Sequence, residues 1–156
     1  MSGKLQAEIK QTKPFARLED EAFVNLVRTA DRLMAASAQV MKAWDISPTQ
    51  YNVLRILRGA GGEGLCCGEV GERMITRDPD ITRLLDRMES RGLVTRARDR
   101  KDRRVIAVRI TGAGLRILEE MQPTLEEFAE RHLGRLGPEK LRNLIDLLEM
   151  ARERTA

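Results

Sequence analysis

One change of hydrophobic period limits the folds open to this chain. Up to Gly92, apolar residues recur every three or four positions; beyond it, residues 93–98 and 105–110 alternate, with Ile106, Val108 and Ile110 set against Val105, Ala107 and Arg109. Three-and-four spacing marks a helical face, and strict alternation marks a half-buried strand. Before the change, residues 67–74 predict a short helix with Val70 inward. Thr76-Arg77-Asp78-Pro79 predicts a turn, with Asp78 as a cap and Pro79 at the first helical position. A second helix follows over residues 79–91, carrying Ile81, Leu84, Leu85 and Met88 on one face and Thr82, Arg83, Asp86, Arg87 and Ser90 on the others. The two strands flank Asp99-Arg100-Lys101-Asp102-Arg103-Arg104, a charged turn. The chain must therefore fold as helix, tight turn, helix and basic-tipped hairpin in direct succession.

The flanks are helical. Over residues 18–41 an amphipathic stripe runs through Leu18, Phe23, Leu26, Val27, Ala30, Leu33, Met34, Ala38 and Met41. Ser47-Pro48-Thr49-Gln50 reads as a capping box with a first-turn proline, and Gly59 is the expected end of that helix. The glycine-rich stretch 59–64 is a loop, and without a following Lys-Ser/Thr it is no phosphate-binding P-loop. Thr111 is expected to cap a long helix bearing Leu115, Leu118, Met121, Leu125, Phe128 and Leu133 and bent at Pro123. Gly137-Pro138 separates it from a last helix with Leu141, Leu144, Ile145 and Leu148. The expected order is α-α-α-α-β-β-α-α. Aromatic residues are scarce, and 156 residues suit one domain with a real core, so the fold class is mainly α with a small β-hairpin.

Charge is concentrated in the same segment. Residues 77–104 hold ten basic and six acidic side chains, and that surplus of four equals the net charge of the whole chain. A phosphate-binding face needs such a local excess, and a solvated surface also produces one. Cys66 and Cys67 are neighbours, which rules out a disulfide framework. Two readings stay open for them: small apolar core positions, or redox-sensing thiols. His132 is the only histidine, with no Ser or Cys partner in view, so no catalytic site, no cofactor and no metal site is expected. The N-terminus lacks an apolar run and no stretch approaches a membrane span, which gives the expectation of a cytoplasmic protein without a membrane partner.

Helix, turn, helix and hairpin is the winged helix-turn-helix order, in which the second helix enters the major groove of DNA and the hairpin touches the adjacent backbone or minor groove. The residues themselves carry a resemblance. Asp80-Ile81-Thr82-Arg83-Leu84-Leu85-Asp86-Arg87-Met88-Glu89-Ser90-Arg91-Gly92-Leu93-Val94, then Asp99-Arg100-Lys101-Asp102-Arg103-Arg104, then Thr111-Gly112-Ala113-Gly114 resemble the signature of the MarR family of transcriptional regulators, in order and at family spacing. The signature covers residues 67–114; the flanking helices agree in length and order only. The resemblance implies a homodimer in which the first and last two helices of each subunit interlock above two winged lobes. It also implies that Arg104 reaches the minor groove while Asp102 holds its guanidinium, and that Thr82, Arg83 and Arg87 face the major groove. Arg77, Arg98, Lys101 and Arg103 complete the expected DNA-binding set. One departure lies in Arg77-Asp78-Pro79-Asp80, where two carboxylates stand in place of small polar residues: they favour a helix N-terminus and repel phosphate.

The expected organisation is a single domain over 1–156, with a winged helix-turn-helix over 47–110 and helical dimerisation regions over 15–46 and 111–156. The expected function is that of a sequence-specific DNA-binding regulator, a repressor on a pseudo-palindromic operator released by a small molecule or other signal. Met34, Trp44 and Tyr51 are candidates for lining an apolar effector cleft, with ordinary core packing as the alternative. The rival reading is a helical interaction protein whose basic hairpin binds an acidic partner, a membrane surface or DNA without sequence preference.

Overall fold

Helix boundaries follow the capping chemistry. In the computed structural model, which describes residues 4–99 and 101–153, the chain divides into two units, residues 1–39 and 40–156. The first holds a short helix that the periodicity does not predict, α1 (Lys4–Glu8) with Leu5 buried, and most of α2 (Leu18–Met41). Glu19, Asp20 and Glu21 place negative charge on the first turn of α2, where the helix dipole favours it. Glu8 ties the two helices together, its carboxylate 3.3 Å from both Arg28 and Arg32. The apolar stripe of α2 is left open: Leu18 is 82% and Phe23 67% exposed, and Leu26, Val27 and Met34 are exposed too.

The second unit begins with the end of α2, whose last residue, Met41, is buried. A 3₁₀ turn at Lys42–Trp44 leads to Asp45 in the left-handed conformation (φ 52°). Next comes α3 (Pro48–Ala60), started by the predicted capping box: Ser47 Oγ accepts from the Gln50 amide at 3.1 Å, and Gln50 Oε1 accepts from the Ser47 amide at 3.0 Å. The helix runs past Gly59 and stops only at Gly61, whose φ of 70° is a conformation open to glycine.

Two features of the middle segment differ from expectation. Leu65–Cys66 forms a short strand, β1, so the hairpin of β2 (Val94–Arg98) and β3 (Ile106–Ile110) becomes an antiparallel sheet of order β1-β3-β2. Gly64 permits this: its φ is 77°, and a Cβ there would collide with the Val108 carbonyl oxygen. Two residues are too few to show a period, and for that reason β1 leaves no trace in the sequence. The second difference is the cap of α5 (Ile81–Ser90), which is Asp80 and not Asp78; Asp80 Oδ1 accepts from the Arg83 amide at 3.0 Å. Asp78 instead accepts from the Asp80 amide at 2.8 Å, so it builds the turn that presents the cap, and Pro79 stays outside the helix.

Between β1 and α5 lies α4 (Cys67–Arg73). The helices and sheet close over one core: Val53, Leu54 and Leu57 of α3, Val70 of α4, Leu84, Leu85 and Met88 of α5, and Val94 and Val108 of the sheet. Thr111 caps α6 (Gly112–Leu133), its hydroxyl accepting from the Gly114 amide at 3.1 Å while donating to the Gly92 carbonyl at 2.6 Å. Leu118 and Met121 of α6 complete the core, and the helix continues through Pro123. Gly137 (φ 74°) breaks the chain before α7 (Gly137–Arg152), which buries no residue at all.

Candidate nucleic-acid interface

With Leu84, Leu85 and Met88 turned into the core, the helical period leaves Thr82, Arg83, Asp86 and Arg87 of α5 in solvent. Arg83 lies 3.6 Å from Asp80, an exposed pair that water and salt weaken. Arg77 and Arg87 have no side-chain partner among the described residues. Thr82 Oγ1 is 4.0 Å from the Cys67 sulfur across a cleft of about 400 Å³ between α5 and the sheet.

The hairpin tip is built on two carboxylates. Asp99 Oδ1 accepts from the backbone amides of Lys101 (2.7 Å) and Asp102 (3.0 Å), and the Asp99 amide donates to the Val105 carbonyl at 2.8 Å. Those amides, Asp102's first, hold the Asp99 carboxyl below the ordinary aspartate range. Asp102 accepts from the Arg104 amide at 3.0 Å and from its guanidinium at 3.1 and 3.2 Å. The Arg104 guanidinium, and after it the Arg104 amide, lowers the Asp102 carboxyl as well. The guanidinium that Asp102 orients is 91% exposed, so it is aimed without being covered. Arg98 donates to the Arg103 carbonyl at 3.4 Å, and the Arg103 side chain is exposed. Lys101 is less free, since it pairs with Glu63 at 2.9 Å, which raises its pKa. Arg100, within the predicted tip, lies outside the described residues.

Helix and hairpin are joined by a residue that the sequence reading passed over. Arg96 lies two positions after buried Val94, on the inward side of β2, and donates to Asp86 and Glu89 of α5. The available signal was an arginine at an inward strand position beside a helix with acids three residues apart. Two further anchors also escaped notice. Arg91, at the C-terminal cap of α5, donates to the Asp45 carbonyl at 2.5 Å and pairs with its carboxylate at 3.3 Å. Asn52 of α3 accepts from the Ile75 amide at 2.8 Å and fixes the turn between α4 and α5. These last two anchors join residues 46 and 23 positions apart, beyond the reach of any local pattern.

The remaining candidates fall elsewhere. Cys66 is the N-cap of α4, exchanging bonds with Glu69, whose carboxylate accepts from the Cys66 amide at 2.8 Å. Cys67 is half-buried beside the core, and both thiols are free. Trp44 and Tyr51 pack against the core, and Arg55 sits over the Tyr51 ring, 5.8 Å from its centroid. Met34 belongs to the other unit and is exposed on α2. Among the described residues no cluster of three or more His, Cys, Asp or Glu side chains is placed to hold a metal ion, and no helix is long and apolar enough to cross a membrane.

The model of the MarR family matches residues 44–105, which span α3 to the hairpin tip. The HTH-type transcriptional repressor IacR of Pseudomonas putida is 31% identical over 134 residues, 86% of this chain and 79% of the relative. Among solved structures, a MarR transcription factor from Planctomyces limnophilus is 40% identical with a TM-score of 0.66, covering 87% of this chain and 98% of that one. Bordetella bronchiseptica BpsR, whose DNA binding is regulated by 6-hydroxynicotinic acid, is 24% identical; it shares the fold at a TM-score of 0.77, over 90% of this chain and 98% of its own.

Proposed function

The chain belongs to the MarR family of DNA-binding transcriptional regulators, and from that premise we propose that it is a homodimeric repressor that binds a pseudo-palindromic operator and leaves it when a small aromatic effector binds. The observation that carries this reading is the pairing of two cationic elements on one lobe. Arg83 and Arg87 stand on the outward face of α5, and Asp102 holds the Arg104 guanidinium in solvent at the hairpin tip. A helix of this kind reads base edges in the major groove, and a projecting guanidinium suits the narrow, strongly negative minor groove. In this reading Thr82, Arg83 and Arg87 are base-facing, Arg104 is the minor-groove cation, and Arg77, Arg98, Lys101 and Arg103 meet phosphates. Residues 47–110 form the DNA-binding region.

The dimer rests on the open apolar faces of the terminal regions, 15–46 and 111–156. Leu18, Phe23, Leu26 and Val27 of α2, and Ile145, Leu147 and Met150 of α7, lie exposed, which suits burial against a second copy. The aromatic effector is suggested by the 6-hydroxynicotinic acid of BpsR; Trp44 and Tyr51 are the residues proposed to meet it.

Fluorescence anisotropy on a duplex from the chain's own promoter, beside a scrambled duplex, tests the reading. Saturable binding at least about a thousandfold tighter for the promoter is expected at physiological salt. Equal affinity for both duplexes would replace the operator with a nonspecific or protein partner.

A further inference from the structure

The recognition helix has a charge problem. Within α5, Arg83 and Arg87 are matched by Asp86 and Glu89, so the element that enters a groove walled by phosphates carries no net charge of its own. Asp86 lies on the outward face and Glu89 is only half-buried. Unpaired, both carboxylates would oppose the approach of a polyanion.

The sheet answers this from outside the helix. Arg96 Nη2 donates to Asp86 Oδ1 at 2.5 Å and to Glu89 Oε2 at 2.7 Å, while Nε donates to Glu89 Oε2 at 2.9 Å. The Arg96 amide donates to the other oxygen, Glu89 Oε1, at 2.9 Å. One carboxylate is thus held by both the backbone and the side chain of a single residue, a fork geometry that lysine cannot reproduce. Arg96 pairs with Val108 in the sheet register, and its side chain is only 26% exposed, so it is fixed at its base as well as at its tip. Its pull also keeps Glu89 ionised, below the usual glutamate range. The arginine is therefore spent on α5 and is not free to meet phosphate.

We propose that Arg96 is a positioning residue for DNA binding: from wing strand β2 it holds back Asp86 and Glu89 and offsets one of their two charges, leaving Arg83 and Arg87 as the charges that the DNA meets. The inference rests on the DNA-binding reading above and adds a residue that touches no nucleotide.

A double-mutant cycle tests it, with a fluorescein-labelled duplex selected by the wild-type protein from a random pool as probe. Arg96→Ala is expected to lower affinity by about tenfold or more, with a similar loss on the unselected pool, because two carboxylates are unmasked whatever the sequence. In that background Asp86→Asn with Glu89→Gln is expected to restore most of the affinity. In the wild-type background the same pair should change affinity by less than about threefold, because Arg96 holds both groups back from the groove and the amides that replace them still accept from it. Additive effects, with the pair raising affinity equally in both backgrounds, would show that the carboxylates oppose DNA despite Arg96 and would overturn the proposal. Should Arg96→Ala fail to fold, the wild-type-background pair decides alone: a change beyond threefold in either direction overturns it. A wild-type protein that selects no sequence from the pool defeats the DNA-binding reading; selection followed by an additive cycle defeats only the role of Arg96.

Discussion

The winged region and the terminal helices meet the same demand, burial of an apolar face, in opposite ways. Between Met41 and Met121 the apolar residues of α3 to α6 close on one another, and Val53, Leu54, Leu57, Val70, Leu85, Met88 and Val108 are inaccessible to solvent. The stripe of α2 stays largely open, and α7 buries nothing. A helix in water gains most of its stability from a packed face. The winged region is thus complete in one chain, while the ends leave apolar faces open, and if the proposed dimer covers them, stability and assembly should be separable by mutation.

The largest expected effect tests the closed half. Leu85 is fully buried between α5 and the rest of the core, so Leu85→Ala is expected to cost about 2–5 kcal/mol of unfolding free energy by loss of transfer energy and the cavity left behind. Urea unfolding followed by circular dichroism measures it; a loss under 1 kcal/mol would mean that the winged core is looser than its burial implies. The next tests the open half. Charging α7 with Ile145→Glu and Leu147→Glu should break the dimer and lower operator affinity by about a hundredfold, through loss of the linked second half-site. Sedimentation and anisotropy follow the two effects, and a folded dimer with full affinity would move the interface elsewhere.

Within the winged region, helix and wing should fail differently. Arg83→Ala is expected to erode the ratio of operator to random binding by about 1–3 kcal/mol, the worth of a bidentate base contact. Arg104→Ala should weaken both duplexes alike and make the salt dependence shallower by about one counterion per wing. The reverse pattern would make the wing the sequence reader. The smallest effect concerns acid. Asp99 and Asp102 are depressed in the folded wing, so their contribution is complete above the ordinary aspartate pKa and is lost as pH falls through the lower folded values. Backbone amides at Lys101 and Asp102 should lose protection only below the ordinary carboxylate range, before the core melts; carboxyl titration by NMR at unshifted pKa values would contradict the tip geometry.

Local chemistry made much of this legible. Ser47 and Gln50 announce their box, Thr111 its cap, and Gly137 its break, because each depends on neighbours within four residues. The face of α5 and the alternation of β3 follow from periods of 3.6 and 2. Errors arose where two local choices were nearly equal. Asp78 and Asp80 both suit a cap; the Asp78 turn consumes one acid and leaves the other to the helix. Gly59 and Gly61 both suit a stop, and only the φ of 70° at Gly61 separates them.

The sequence by itself determined the order of elements, the apolar backs of the helices and the basic surplus of residues 77–104, since these depend on composition and short-range period. Tertiary structure alone decided how that surplus is distributed. Glu63 engages Lys101, and Asp86 and Glu89 take up Arg96. A formal charge counts the same wherever it stands in a sequence. Its use in binding depends on which opposite charge lies within about 3 Å, and Glu63–Lys101 and Glu89–Arg96 are set there by the pairing of β3 with β1 and by the packing of α5 against β2.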